Sequence, residues 1–179
     1  MANRLLRLMP EEIRRELYQA GSEFRLGVGE TIPSESLGGT FVFVVDHGVA
    51  SKFVRSEWGN YSEVGMVGPE GLFPICGLLE VPAAPHVVIS QIGELRGRRI
   101  RTREFHSIIN ESSEACILVR KYIYAFLTQI ASNIMAAEQD TVEKRIARWL
   151  LMCHAGSTAM RSRSPTTRWL RWRSRNGRR

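Results

Sequence analysis

Ala115-Cys116-Ile117-Leu118-Val119-Arg120-Lys121-Tyr122-Ile123-Tyr124-Ala125-Phe126-Leu127-Thr128-Gln129-Ile130-Ala131-Ser132-Asn133-Ile134-Met135-Ala136-Ala137-Glu138 runs without a proline or a glycine. Within it Val119, Ile123, Phe126, Ile130, Asn133 and Ala137 recur at spacings of 4, 3, 4, 3 and 4. That is the period of a helix burying one stripe. At 1.5 Å per residue the run is about 36 Å long, more than one small domain covers. Part of the stripe therefore needs another partner, and an identical helix is the simplest. A lone Asn133 in an apolar seam fits a register device. These six residues are the expected dimer interface; the alternative is that the stripe only docks on the rest of the chain.

The helical pattern extends upstream to Ser107, so residues 107–139 read as one long helix. Residues 22–106 have another period. Short apolar runs (Phe41 to Val45, Val49 to Val54, Glu63 to Val67, Val87 to Ile89 and a segment around Ile100) alternate with corners such as Gly38-Gly39, Asp46-His47-Gly48 and Trp58-Gly59-Asn60. Many short strands with glycine at the corners predict a β-sandwich or roll. Gly68 to Phe73 breaks the pattern and reads as a loop leading to a helical turn at about Ile75–Glu80. In residues 1–21, Pro10, Glu11 and Glu12 suit a helix start, Ile13 and Leu17 lie four apart, and Gly21 ends the helix. After residue 139, Asp140 or Thr141 can cap a further helix, with Val142, Ile146, Trp149 and Leu150 as its apolar face and Lys144, Arg145 and Arg148 as its wet one.

The character of the chain changes at His154. Residues 155–179 hold eight arginines, no acid, Trp169 and Trp172, and no apolar period. The net charge of +7 belongs to this segment; the rest of the chain carries −1. "Basic, hence nucleic acid" is therefore a poor inference for the body. The segment itself reads as a solvated, disordered tail able to associate with polyanions in a salt-sensitive way. Cys76, Cys116 and Cys153 are far apart and form no C-x-x-C pair, which suits a reducing cytoplasm and small buried thiols. No window is apolar enough for a membrane span.

Two stretches then carry a resemblance. Glu63-Val64-Gly65-Met66-Val67-Gly68-Pro69-Glu70-Gly71-Leu72 resembles a loop of the Crp/Fnr (catabolite-activator and Fnr-like) transcription regulators. Gln139-Asp140-Thr141-Val142-Glu143-Lys144-Arg145-Ile146-Ala147-Arg148-Trp149-Leu150-Leu151-Met152 resembles their junction from dimer helix into DNA-binding domain. The resemblance covers residues 20–154 and implies an α+β chain: a cyclic-nucleotide-binding-like β-roll (jelly-roll) sensor over 22–106, a dimerisation helix over 107–139, and over 140–154 the first helix of an incomplete winged helix-turn-helix. It implies a homodimer, an effector and a DNA partner. It places the effector pocket near Gly71, Leu72, Phe73, Pro85 and His86. The family's nucleotide-binding members hold ribose with a Gly-Glu pair and phosphate with an Arg beside Ser or Thr; here those places read Gly71-Leu72-Phe73-Pro74 and Ala83-Ala84-Pro85-His86. The expectation is a cyclic-nucleotide-binding-like fold with no cyclic nucleotide and no other cofactor, sensing an unknown small molecule.

Nothing after His154 matches the family's helix-turn-helix. Read one base out of frame from Met160, the codon table permits Glu-Ile-Ala-Leu-Thr-His-Asp-Ser-Leu-Ala, which resembles the missing stretch. Residues 155–179 are thus expected to be a frameshifted remnant, with no DNA-reading residues intact and specific DNA binding impaired. The leading function is a cytoplasmic Crp/Fnr-like regulator that has lost its recognition helix; the alternative is a decoy forming mixed dimers with an intact relative. An enzyme is disfavoured. His47, His86, His106 and His154 are scattered, no H-x-H starts a metal site, and no nucleophile or phosphate-loop motif is present.

Overall fold

A computed structural model describes residues 3–32, 37–82 and 86–156 of the chain. After a 3-10 turn at Leu6–Leu8 come helix α1 (Glu11–Ala20), strands β1 (Ser22–Leu26), β2 (Phe41–Arg55), β3 (Tyr61–Val67) and β4 (Leu72–Phe73), and the short helix α2 (Ile75–Leu79). Strand β5 (Val87–Arg101) and helices α3 (Thr102–Asn110), α4 (Ser113–Gln139) and α5 (Val142–Gly156) complete the described part. The Arg-rich segment, the frameshift and the fate of the recognition helix lie outside the described residues, as do Ala83, Ala84 and Pro85 of the expected effector region.

The sheet is antiparallel in the order β1-β5-β2-β3, with β4 also paired to β2. The expected short runs merge into two strands of 15 residues each, β2 and β5. Phe41–Val45 and Ala50–Phe53 are two halves of β2, and both pair with β5 across register shifts at Val45, His47 and Val49. At that corner Gly48 has φ +83, and a Cβ on it would lie 2.6 Å from the Glu94 carbonyl oxygen. Asp46-His47-Gly48 thus bends one strand where the sequence suggested a turn between two.

Alternation along the first half of β2 builds two cores. Val42 and Val44 join Leu6, Ile13, Leu17, Ile100, Phe105, Ile109 and Val119 in a cluster formed with α1, α3 and the first turns of α4. Phe43 and Val45 face the other way and pack with Ile32, Ala50, Val67, Phe73, Val88, Leu95 and Phe126 inside the roll. Phe43 stacks on Phe73 at 5.0 Å and meets Phe24 edge-on at 5.1 Å. At roughly 1.5–3 kcal/mol per buried large apolar side chain, these two clusters supply most of the favourable burial energy.

The long helix is not continuous from Ser107. Helix α3 ends at Asn110 and α4 restarts after Ser112, whose Oγ accepts from the Ala115 N–H at 3.3 Å. The polar run Asn110-Glu111-Ser112-Ser113-Glu114 is the local signal for this break, since serine at an N-cap satisfies an otherwise unpaired amide. Thr141 starts α5, accepting from the Lys144 N–H at 3.5 Å, while Asp140 closes α4 through its own N–H to Ala136 O at 3.1 Å. None of the described helices is long and apolar enough to cross a membrane.

Candidate functional site

Among the described residues strand β3 pairs only with β2, so one edge of it presents backbone groups that no described strand pairs. Helices α4 and α5 cover this edge with polar side chains. Gln129 Oε1 accepts from the Met66 N–H at 2.9 Å, Asn133 Nδ2 donates to Val64 O at 3.2 Å, and Trp149 Nε1 donates to the Glu63 carboxylate at 3.4 Å. Two turns nearer the start of α4 than Gln129, the Tyr122 hydroxyl donates to Leu72 O at 2.6 Å. Burial pushes the Tyr122 phenol well above its ordinary value, so it stays protonated and donates. These contacts form a ladder between the helices and the stretch 63–72.

The glycines of that stretch are seats for the ladder. A Cβ on Gly65 would lie 2.9 Å from the tip of Phe126 and 3.0 Å from Gln129 Oε1. On Gly71 it would run into the Tyr122 hydroxyl and lie 2.8 Å from the ring. Gly71 itself is fixed, its N–H donating to Gly68 O at 3.0 Å and its carbonyl accepting from Asn3 Nδ2 at 2.9 Å. The loop therefore lets a long helix lie close on a sheet edge. That is a physical reason for the Glu63–Leu72 wording beyond resemblance.

Within one chain, most of the expected dimer seam faces the chain's own roll. Val119, Ile123 and Phe126 are buried in the chain's own two clusters, Ile130 packs on the second, and Asn133 caps the β3 edge. Ala137 is exposed while its neighbour Ala136 is buried. A stripe of apolar residues with one amide satisfies a sheet edge as well as a coiled-coil seam, and spacing alone does not separate the two. A second face of α4, roughly a third of a turn round from the first, carries Ile117, Tyr124, Leu127 and Ile134, which are 47%, 74%, 54% and 53% exposed. With Arg120, Ala131 and Glu138 these positions form a second 3-4 repeat, turned outward.

Of the expected effector-pocket residues, Leu72 is in the first cluster and Gly71 under Tyr122. Phe73 and His86 do come together, lining a cavity with Ala50, Lys52, Val67, Pro74, Ile75, Val88 and Phe126. Its volume is about 10 Å³, space for a single water, against several hundred Å³ for a typical small-molecule site. Lys52 is the residue that sequence reasoning missed. Burial lowers its ammonium from the ordinary lysine value, opposed by the nearby Cys76 thiol. Its parity with inward-facing Ala50 was the available signal. The larger concavity, about 500 Å³, is an open groove between α1 and Arg98. Arg98 is committed there, lying 5.0 Å over the Tyr18 ring and bonded to Gly21 O at 2.6 Å.

Helix α5 folds back onto the outer face of β2 and β3. Cys153 is fully buried beside Val49 and Met66, with Ile92, Trp149 and Met152 around them. Its inward face is thus Trp149, Met152 and Cys153. Val142 and Ile146, expected to be covered, are 62% and 46% exposed. Arg148, expected on the wet face, is half-buried with its Nε enclosed. The three thiols are free, Cys153 buried and Cys76 and Cys116 half-buried. His106 is structural, its Nε2 2.8 Å from Gly77 O. Among the described residues no group of three or more His, Cys, Asp or Glu could hold a metal.

A roll whose free edge is strapped by a long helix, followed by a capped helix, has many structural counterparts. A Crp/Fnr-family transcriptional regulator from Eubacterium rectale superposes with a TM-score of 0.66 at 13% identity, covering 97% of this chain and 88% of that one. The chain has the Crp/Fnr regulator fold. A mutant of CooA from Carboxydothermus hydrogenoformans gives a TM-score of 0.59 at 14% identity over 82% of this chain and 93% of its own. The regulatory domain of Toxoplasma gondii PKA, crystallised with cAMP, gives 0.54 at 20% identity over 67% and 45%. The roll therefore has the fold of a cyclic-nucleotide-binding domain. No protein-family model matches the sequence, and no curated protein matches it.

Proposed function

We propose that the chain is a Crp/Fnr-like transcription-regulator polypeptide: a sensor roll strapped to a helix that pairs with a second copy. The observation that carries this reading is the outward 3-4 repeat of Ile117, Tyr124, Leu127 and Ile134 on a helix whose other face is already occupied by its own roll. Four large apolar side chains in register on one exposed face are what a parallel helix pair buries. The same face would accept an intact relative, so a mixed-dimer decoy is the second form of this reading.

The sensed molecule is small and is not a cyclic nucleotide. Support comes from the Tyr122 ring against Gly71, from the Phe73 and Phe126 side chains in the roll, and from the sequence, which has no family-type Glu at 71–74 and no family-type Arg at 83–86. The segment after His154 offers no family recognition stretch, so specific operator binding by this chain is weak or lost, leaving only salt-labile association. Sedimentation and operator footprinting test the reading together. The expected result is a dimer with no footprint at physiological salt. A monomer, or a protected operator under those conditions, overturns the corresponding half.

A further inference from the structure

The contact between α5 and the roll has a feature that neither dimerisation nor sensing uses. Cys153, Trp149 and Met152 cover Val49, Met66 and Ile92, and the half-buried Glu63 lies beside them, its carboxyl bonded to the Trp149 indole. Around that carboxyl stand the Trp149 indole N–H from α5, the Ser51 hydroxyl from β2 and the Cys153 thiol. From α4 come only the neutral amides of Gln129 and Asn133, both spent on β3 backbone. Lys52 lines the cavity inside the roll, with Ala50 and Val67, whereas Val49 and Met66 belong to the outer face. Among the described residues no cation offsets Glu63. Lys144 and Arg145 are on the exposed side of α5, and the half-buried Arg148 makes no ion pair with it. A carboxylate in such a place is costly to ionise, whereas a carboxylic acid is not.

We propose that α5, docked on the outer face of β2 and β3, is a proton-held latch between the sensor roll and the chain that follows: neutral Glu63 keeps the helix in place, and ionised Glu63 releases it. The sign follows from burial. With α5 docked, desolvation raises Glu63 from its ordinary value to about 7, opposed by the Trp149 hydrogen bond and the nearby Ser51 hydroxyl. Released, Glu63 faces water and returns toward 4.5. Docking is therefore strongest below about pH 4.5, weakens as pH rises, and levels off above about pH 7. At tenfold per pH unit, the rise from 4.5 to about 7 makes the full change in the docking equilibrium roughly three hundredfold. Because α5 follows α4 directly, its release frees the angle between the pairing helix and whatever α5 leads into. The latch is internal to one chain and does not depend on the regulator reading, so the dimer and footprint tests leave it untouched.

The test uses the full chain with Trp58→Phe, Trp169→Phe and Trp172→Phe, so that Trp149 alone emits. Acrylamide quenching and the emission maximum are followed from pH 4.5 to 8.5, with circular dichroism confirming the fold at each point. The expected result is a red shift and a several-fold rise in quenching as the pH rises toward and through 7. Both changes should disappear in Glu63→Gln and in Glu63→Met, which stay docked throughout. A flat profile in the parent overturns the latch, and so does a profile that still titrates in both neutral variants.

Discussion

Gly71→Ala measures how tightly the roll is seated on α4. The added Cβ would collide with the Tyr122 hydroxyl and lie 2.8 and 2.9 Å from the ring carbons. The backbone cannot retreat, because Gly68 O holds the Gly71 N–H and Asn3 and Val45 donate to its carbonyl. Tyr122 must move instead and give up its bond to Leu72 O. Losing that hydrogen bond costs about 1 kcal/mol, and crowding a packed site adds about 1–3 kcal/mol. Replacing glycine at ordinary φ returns about 0.4–1 kcal/mol through the unfolded chain. The net expectation is a loss of about 1–3 kcal/mol in urea-unfolding free energy. In a Tyr122→Leu background the same substitution should cost at least about 1 kcal/mol less, since neighbours that collide are not additive. Gly71→Ala within about 0.5 kcal/mol of the parent, or an equal cost in both backgrounds, would falsify the seating argument.

Other consequences of the same geometry are directly measurable. Leu127→Asp should convert the dimer to a monomer in sedimentation with unfolding free energy per chain within about 1 kcal/mol, whereas Val119→Ala, which opens a core cavity, should cost about 1–3 kcal/mol. Asn133→Leu should lower stability by about 1–2 kcal/mol, because the Val64 carbonyl loses its donor, and leave the dimer mass unchanged. Glu63→Gln should match the parent near pH 4.5 and be more stable at pH 8. The raised Glu63 contribution is whole below 4.5 and lost through about 7, so thermal unfolding curves that stay parallel across this range would speak against it.

The sequence revealed the classes of element well and their ownership of surfaces poorly. Period and glycine corners gave the roll, α1, the helical turn at Ile75 and a helix through residue 139, because these depend on local backbone preference. The merging of Phe41–Val45 with Ala50–Arg55 was hidden, since a bend within one strand and a turn between two use the same residues. The Ser112 cap was legible but was outweighed by the absence of proline and glycine. The seam is hard to assign for a deeper reason. Val119, Ile123 and Phe126 have the spacing of a dimer stripe and also of a docking stripe, and only β3's unpaired edge, a tertiary fact, says which. Once that edge is seen, Gln129 and Asn133 are explained together. Phe73 and His86 line one small cavity, whereas Lys52 beside them was overlooked because a lysine in a strand is usually assigned to solvent.

Disulfide trapping between two copies separates the two faces of α4 most directly. In a background with Cys76, Cys116 and Cys153 replaced by serine, Leu127→Cys and Ile123→Cys are each oxidised under mild conditions. A parallel pair brings like residues of the outward repeat together, so position 127 should give covalent dimers and position 123 none. Covalent dimers through position 123, with none through 127, would contradict the account, because the roll would then not own the face on which its seating depends.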